Sequence, residues 1–184
     1  RACVTPVAPG QEIILQDGLG RFDPASSLSE PGEVIRKKTQ VLIIGGGPAG
    51  LRAAIAAAEY GVQCLIIDEN LQPGGQIYRR IPKAFKVKSP EMLGDDYTQG
   101  RSLIEQAAAS ADRIEIWNDA MVWGVFESRQ VAVARNNALA LIEADAIVVA
   151  AGAYERPVPV PGWTLPGVMT AGGAQALIKS QRIR

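Results

Sequence analysis

The sequence predicts an α/β domain in which a parallel sheet carries helices on its faces and a three-stranded antiparallel meander is inserted. Three observations predict it: an apolar run that ends in a glycine-rich turn, a helix-like segment directly after that turn, and three β-like runs separated by short polar turns. The chain has 184 residues, of which 47% are hydrophobic and 21% are charged. That composition is typical of a globular protein.

Histidine is absent from the whole sequence. Its absence excludes mechanisms that take an imidazole from this chain, such as Ser-His-Asp hydrolysis or a His-ligated zinc centre. Lys+Arg and Asp+Glu each number 19 and aromatic residues make up 5%, so no nucleic-acid-binding surface is expected. No apolar run reaches the ~20 residues of a membrane span. Two cysteines without a C-x-x-C pair favour a reducing, cytoplasmic location.

Residues 1–39 are rich in Pro, Gly, Ser and Asp and are predicted to form a tail or linker, with one strand-like run at 12–15. The first residue is Arg1 rather than Met, and no apolar signal core follows it. The chain is therefore expected to be a fragment of a longer protein. The α/β pattern begins at residue 40, so the second predicted domain covers 40–184.

A βαβ unit opens this domain. The apolar run 41–44 is typical of a strand buried on both faces. A helix from Pro48 to Tyr60 follows, since proline is well tolerated in the first turn of a helix. A second buried strand over 62–67 ends at Asp68.

Beyond this unit, residues 69–92 contain several prolines and glycines and predict a long irregular excursion of the kind that often carries function. The later elements are predicted as a helix at 95–110, a parallel strand at 114–117, meander runs at 120–126, 130–134 and 139–142, a buried strand at 146–150 and a helix at 171–181.

The turn between the first strand and the first helix carries Gly45-x-Gly47-x-x-Gly50. In this context the glycines permit a tight turn, a close approach of the backbone to a pyrophosphate and close helix–strand packing. The helix N-terminus offers free N–H groups to the phosphates. Asp68 is placed to accept hydrogen bonds from the ribose of an adenosine, and it would repel a 2′-phosphate. The pattern predicts FAD or NAD rather than NADP; the alternative is a glycine-rich turn beside a solvated Asp68.

Several later motifs carry a family resemblance: Asp68-Glu69-Asn70, the Gly-Gly-Gln-Ile-Tyr-Arg run at 74–79, Ala-Ala-Gly at 150–152 and the segment 162–175. With them, the sequence resembles the two-dinucleotide-binding-domain flavoproteins of the glutathione reductase superfamily. More narrowly, it resembles a branch that contains the A subunits of opine oxidases, the B subunit of hydrogen cyanide synthase, and the alpha subunits of D-hydroxyproline, proline and sarcosine dehydrogenases or oxidases. The resemblance covers residue 40 to the end.

The resemblance implies a Rossmann-like domain that binds FAD and lacks its C-terminal part. The residues that it assigns to the cofactor are Gly45, Gly46, Gly47, Pro48, Ala49, Gly50, Asp68, Glu69, Gly75, Gln76, Val122, Ala151 and Gly152. Gly75 and Gln76 are expected on the flavin side, and the backbone of Val122 near adenine. Ala151 departs from the usual Thr, so no hydroxyl contact is expected there. Gln76 has the alternative of bonding loop backbone. Arg79 and Arg80 either contact a phosphate or the flavin or belong to a solvated edge.

The N-terminal segment 1–7 is similar to the closing edge of a plant-type [2Fe–2S] domain, in which Cys3 would be the last of four thiolate ligands. Such clusters need four ligands, so this chain alone cannot hold one and no metal site is predicted in it. Cys3 is either a ligand in a longer parent or a lone thiol.

The resemblance implies an FAD-dependent oxidoreductase subunit that relays electrons in the oxidation of an amino acid, imino acid or opine. As partners it implies a [2Fe–2S] protein and an amine-oxidising flavoprotein subunit. No catalytic acid or base is assigned. Two alternatives stay open: an NAD(P)H-dependent disulfide reductase relative, and a non-catalytic nucleotide-binding fragment. The region after the first helix lacks the cysteine pair of the glutathione reductase type.

Overall fold

The computed structural model describes residues 9–10, 34–81, 86–87, 89, 93–136 and 138–179. Cys3 and the strand-like run at 12–15 lie outside these residues. The chain divides into two compact units, Arg1–Pro31 and Gly32–Arg184. The fold below is that of the second unit.

The second unit alternates strands and helices along its first half and then runs through a strand-rich segment. In chain order the elements are β1 (Ile35–Ile44), α1 (Pro48–Glu59), β2 (Cys64–Ile67), α2 (Asp95–Ala109), β3 (Ile114–Trp117), β4 (Ala120–Phe126), β5 (Gln130–Arg135), β6 (Ala138–Val149) and α3 (Ala171–Lys179). A short 3-10 turn at Glu127–Arg129 joins β4 to β5. The order matches the predicted α/β class.

The six strands form one sheet in the order β3-β2-β1-β6-β5-β4. The β1 strand lies parallel to both β2 and β6, and β2 lies parallel to β3. The pairs β4–β5 and β5–β6 are antiparallel. The predicted combination of a parallel sheet with an antiparallel meander is therefore confirmed, and β6 is the strand that belongs to both parts.

The two faces of the sheet bury separate cores. Neighbouring strand residues point to opposite faces, so Ile43 packs with Leu51 of α1 and Leu103 of α2, whereas Leu42 belongs to a second cluster that includes Val131 and Val133 of β5. Each fully buried side chain of this size stabilises the fold by about 1.5–3 kcal/mol. Helices thus cover one face and the meander contributes to the core of the other.

The sheet curls so that the start of β4 returns to the end of β2. The amide of Ala120 donates to the carbonyl of Asp68 at 3.0 Å, although β4 and β2 are four positions apart in the strand order. This curl brings the meander to the edge where β2 ends.

Two strand predictions were wrong. The runs 139–142 and 146–150 were expected as separate strands, but Ala138–Val149 is continuous. The polar residues Glu143 and Asp145 between these runs are typical of a turn between two strands. In the structure both are exposed while Ala144 between them is buried, which is the alternation expected within one strand. The end of this strand is also exposed rather than buried, as Val149 is 73% accessible.

The first strand begins earlier than predicted. Residues 41–44 are only the end of β1, which starts at Ile35 and pairs with Ala140–Ala144 of β6. Its first half contains charged residues, so the hydrophobic pattern did not indicate a strand there. Lys37 and Lys38 bond to Glu115 and Glu143 respectively, so their charges are accommodated at the surface of the sheet.

The predicted helices are found with small changes at their ends. The first and second end one residue earlier than expected, at Glu59 and Ala109. The third is described to Lys179, and its predicted end at residue 181 lies outside the described residues. Within the described part of the chain, no helix has the length and apolar character needed to cross a membrane.

Candidate cofactor-binding site

A cleft of about 650 Å³ opens beside the carboxyl ends of β1, β2 and β6. This is the edge of a parallel sheet at which nucleotides bind. Eleven of the thirteen residues predicted to contact a cofactor line the cleft: Gly45, Gly47, Pro48, Ala49, Asp68, Glu69, Gly75, Gln76, Val122, Ala151 and Gly152. The fold therefore brings together residues from five separate segments of the sequence.

The two predicted residues that do not line the cleft, Gly46 and Gly50, stabilise the glycine turn. The amide of Gly46 donates to Oδ2 of Asp68. A Cβ on Gly50 would collide with the carbonyl oxygen of Gly45 and would lie 3.2 Å from a methyl group of Ile43. Gly50 is therefore the position at which α1 packs closely against β1, as the spacing predicted.

The first glycine turn, Gly45–Gly50, sits tightly against the end of β6. Gly45 has a φ of +110°, and a Cβ there would collide with the carbonyl oxygen of Ala150. The amide of Ala150 donates to the carbonyl of Ile44 at 2.8 Å. A side chain at position 45 would separate these two segments, so this position requires glycine for both its conformation and its space.

The N-terminus of α1 faces the cleft without a cap. Gly47 is the N-cap residue and supplies no side chain, and the first turn contains no acidic residue. The first helical hydrogen bond runs from the amide of Leu51 to the carbonyl of Gly47 at 2.9 Å. The amides of Ala49 and Gly50 therefore have no partner among the described residues. Free amides at a helix N-terminus are a binding site for phosphate.

Asp68 lies at the end of β2, where the spacing predicted it, and is 5% exposed. Its Oδ1 accepts hydrogen bonds from the amide and the side chain of Asn70 at 2.7 and 2.8 Å. Its Oδ2 accepts from Gly46. Three N–H donors thus compensate for the burial of this carboxylate.

The loop Pro73–Gln76 contacts both the first glycine turn and the segment that follows β6. The amide of Gly74 donates to the carbonyl of Gly46 at 2.8 Å. Gly75 has a φ of +61°, and a Cβ there would lie 2.9 Å from Cα of Gly47. The side chain of Gln76 donates to the carbonyl of Ala153 at 2.7 Å. Gln76 therefore bonds loop backbone, the alternative considered for it, while it also lines the cleft.

The cleft has further lining residues that the sequence analysis did not assign to the cofactor, among them Asn70 and Tyr154. Asn70 directly follows the two acidic residues of the Asp-Glu-Asn motif, and that adjacency was the available signal. The two neighbouring arginines separate: Arg79 lines the cleft, whereas the guanidinium of Arg80 lies 4.4 Å from the ring centre of Tyr97.

The residues present fit a dinucleotide. Any Cβ at positions 45, 50 or 75 would fill the space in which the turn and its neighbours meet. The cleft volume of about 650 Å³ falls within the range of about 300–1,000 Å³ for small-molecule sites. A strand, a glycine turn, an uncapped helix N-terminus and a strand-end carboxylate together define a dinucleotide-binding protein.

The chain belongs to the pyridine nucleotide-disulphide oxidoreductase family, whose model matches residues 39–182. This is a family of FAD-dependent oxidoreductases, and FAD is its cofactor. The family resemblance and the cofactor predicted from the sequence are both confirmed.

The curated relatives lie in the predicted branch. The chain is 42% identical over 151 residues to the A subunit of opine oxidase from Agrobacterium tumefaciens (strain Ach5), in a match that covers 76% of this chain and 29% of that protein. It is 40% identical over 140 residues to hydrogen cyanide synthase subunit HcnB of Pseudomonas aeruginosa, covering 76% and 30%. It is 25% identical over its whole length to the alpha subunit of sarcosine oxidase from Corynebacterium sp. (strain U-96), of which it covers 20%.

Among solved structures, the fold is similar to that of L-proline dehydrogenase from P. horikoshii. The TM-score is 0.66 at 26% identity, and the match covers 80% of this chain and 29% of that one. The chain therefore spans less than a third of the length of each of these proteins.

Proposed function

We propose that the chain is the FAD-binding portion of an oxidoreductase subunit that relays electrons when a partner subunit oxidises the C–N bond of an amino acid, imino acid or opine. The observation that carries the proposal is the identity of 42% and 40% to proteins named as subunits of opine oxidase and of hydrogen cyanide synthase. Their names support a role within a multi-subunit enzyme.

The proposed cofactor site comprises the thirteen predicted residues. The first glycine turn and the free amides of α1 would hold the pyrophosphate, because they offer N–H donors and no obstructing side chain. Asp68 and Glu69 lie at the ribose end, and Gly75, Gln76 and Gly152 at the flavin end. The bound flavin supplies the redox chemistry; the chain's own residues bind and orient it.

The cysteines argue against a disulfide reductase of the glutathione reductase type. Of the two cysteines in the sequence, Cys64 is a free thiol buried in β2, and burial raises its pKa. Among the described residues, no cysteine lines the cleft. A buried thiol with a raised pKa is a poor nucleophile, so electron transfer through a thiol pair beside this site is not part of the proposal.

An amine-oxidising flavoprotein subunit is the proposed partner. Residues 1–39 are proposed to be a linker, or the end of a [2Fe–2S] domain in which Cys3 is a ligand. A reducing cytoplasm is the proposed location, since Cys64 is a free thiol.

The test is to purify the chain, add FAD, remove the excess and record the visible spectrum. We expect flavin absorbance in a one-to-one ratio with protein. A matched pair of variants then tests whether FAD binds in the cleft. Arg79→Gln alters a residue that lines the cleft, and Arg80→Gln alters its neighbour, which lies against Tyr97. We expect a loss of FAD affinity in the first and little change in the second.

The relay is tested with the chain joined to its candidate partner subunit. Under anaerobic conditions, an amine donor such as proline or an opine should then bleach the flavin absorbance. Bleaching by NADPH alone, with no response to any amine donor, would contradict the relay and favour a reductase. A chain that stays colourless in excess FAD would contradict the cofactor site itself.

A further inference from the structure

The segment that follows β6 leaves the cleft and later returns to it. Every residue from 151 to 170 is exposed, and α3 after them has no buried residue. Near its start, the carbonyl of Ala153 accepts a hydrogen bond from the side chain of Gln76 at 2.7 Å. At its end, the ammonium group of Lys179 donates to the carbonyl of Ile77 at 3.3 Å. The two ends of the segment therefore meet adjacent residues of one turn beside the cleft.

This turn, residues 74–78, is itself fixed to α2. The amide of Tyr78 donates to the carbonyl of Gly74 at 3.2 Å, which closes the turn. The ring of Tyr78 occupies the space beside Gly100 of α2, where an added Cβ would collide with it. Next along the chain, the guanidinium of Arg80 lies over the ring of Tyr97 in the same helix. The turn and α2 thus form a common base for the segment after β6.

One ion pair joins the returning end of the segment to this base. The ammonium group of Lys179 lies 2.8 Å from Oδ2 of Asp96, in the first turn of α2. Among the described residues, the other hydrogen bonds of residues 154–178 stay within that segment, such as the bond from the amide of Gly172 to Oε2 of Glu155 at 2.7 Å. Lys179 is therefore the polar connection that closes the segment onto α2.

We propose that Lys179 is a positioning residue for the flavin end of the cleft, and that its ion pair with Asp96 is a latch that holds residues 154–178 as a flap against the turn. Asp96 holds the ammonium group, and the ammonium group holds the carbonyl of Ile77. Ile77 directly follows Gln76, which lines the cleft. This inference rests on the proposed FAD site, because it assigns to the latch the rate at which FAD leaves.

The latch is weak enough to open. The side chains of Lys179 and Asp96 are 30% and 59% exposed, and ion pairs at such exposure change an equilibrium by about fivefold at most. Dissolved salt screens exposed charges, with a screening length of about 10 Å at about 0.1 M and about 3 Å at about 1 M. The flap should therefore open more often as the salt concentration rises.

The first experiment uses the full chain without FAD and follows amide hydrogen exchange in α3. This helix has nine residues, and isolated helices shorter than about 12–15 residues are marginal in water, so its protection reports whether it is docked. Lys179→Met removes the charge and should speed exchange in α3 by up to about fivefold, while the amide of Leu51 in α1 keeps its rate. Added salt should speed exchange in the unchanged chain and have little effect on this variant.

The second experiment measures the rate at which FAD leaves the loaded chain. Lys179→Met and Asp96→Asn should each raise this rate by up to about fivefold. The double variant should match the single variants, because the same contact is lost only once. Lys179→Arg retains the positive charge and should retain most of the slow release of the unchanged chain.

Glu105→Gln is the matched control. It removes an ion pair of similar length, Arg101 to Glu105 at 2.9 Å, which lies within α2 and does not reach α3. It should leave both rates unchanged. Multiplied effects in the double variant, a loss in Lys179→Arg equal to that in Lys179→Met, or an effect of Glu105→Gln as large as that of Asp96→Asn would each overturn the latch.

Failure of the proposed function has a different signature. A chain that does not bind FAD would overturn that function and the role of Lys179 at the flavin end. Exchange in α3 is measured without FAD, so it would still decide whether the ion pair holds the flap. Exchange in α3 that is the same in Lys179→Met and in the unchanged chain would overturn the latch even if FAD binds.

Discussion

The first glycine turn, Gly45–Gly50, and the second glycine loop, residues 150–154, face the same cleft but are built differently. At Gly45 and Gly50 an added Cβ would collide with backbone carbonyl oxygens, whereas nothing lies within 4 Å of a Cβ on Gly152. The residues around the first turn include fully buried Ile43 and Leu51, while every residue from 151 to 170 is exposed.

The difference shows two ways to present backbone to a cofactor. The first turn is fixed by close packing, so its shape is part of the folded core. The second loop is held by few contacts in the described chain, among them the hydrogen bond from Gln76 to Ala153. Segments with few buried contacts open at low free-energy cost. We therefore expect the first turn to be rigid before the cofactor binds and the second loop to be ordered by binding.

The largest effect is expected from placing a methyl group at Gly50. Gly50 lies in α1, where alanine is intrinsically the better residue by about 1 kcal/mol; any loss therefore comes from the collision with Gly45. We expect Gly50→Ala to lower the free energy of unfolding in urea by about 3 kcal/mol and to abolish FAD binding.

Gly152→Ala is the matched control in the other loop. Gly152 has a φ of +70°, so alanine there meets conformational strain of about 1–2 kcal/mol but no collision. We expect a smaller loss of stability than in Gly50→Ala. Equal losses in the two variants would contradict the distinction between a packed turn and an open loop.

A medium effect is expected at the tether of the second loop. Gln76→Ala removes one exposed hydrogen bond, which is equivalent to about 0.5–1.5 kcal/mol. Amide hydrogen exchange should become faster at 151–154 in the absence of FAD, while exchange at Leu51 stays unchanged. Faster exchange at both sites would mean that the two walls of the cleft move as one unit.

The smallest effect is expected from Glu115, a charged residue of β3 in the sheet that carries the first glycine turn. Burial raises the pKa of Glu115, but hydrogen bonds from Lys37 and Trp117 and the charges of Lys37 and Arg135 lower it more, and the net shift is downward from its ordinary value of 4.5. A carboxylate with a lowered pKa in the folded state stabilises the protein above its ordinary pKa, and this contribution is lost as the pH falls through the folded-state value.

Glu115→Gln should therefore cost stability at pH 7 and much less at pH 3. Because the side chain is about half exposed, the loss at pH 7 should be below about 1 kcal/mol. Urea unfolding at the two pH values measures it. A variant whose loss grew as the pH fell would show that the shift has the opposite sign.

The sequence predicted most of the fold because its signals are local. The run 41–44, the glycines and the helix from Pro48 each depend on neighbours within a few residues, and all lie where they were expected. One prediction that was wrong, the start of β1, concerns residues whose partners are distant in sequence. The charged start of β1 is a strand because Lys37 and Lys38 meet acidic residues more than 75 positions away.

The class of site follows from the local sequence, since a glycine turn between a strand and a helix is recognisable without the rest of the molecule. The sequence also determined the positions of the two acidic residues. Only the tertiary structure distinguished them, because the partners of Asp68 come from Gly46 and Asn70 and from strands β3 and β4. Hydrogen-bond saturation and burial are properties of packed neighbours, and no pattern along the chain records them.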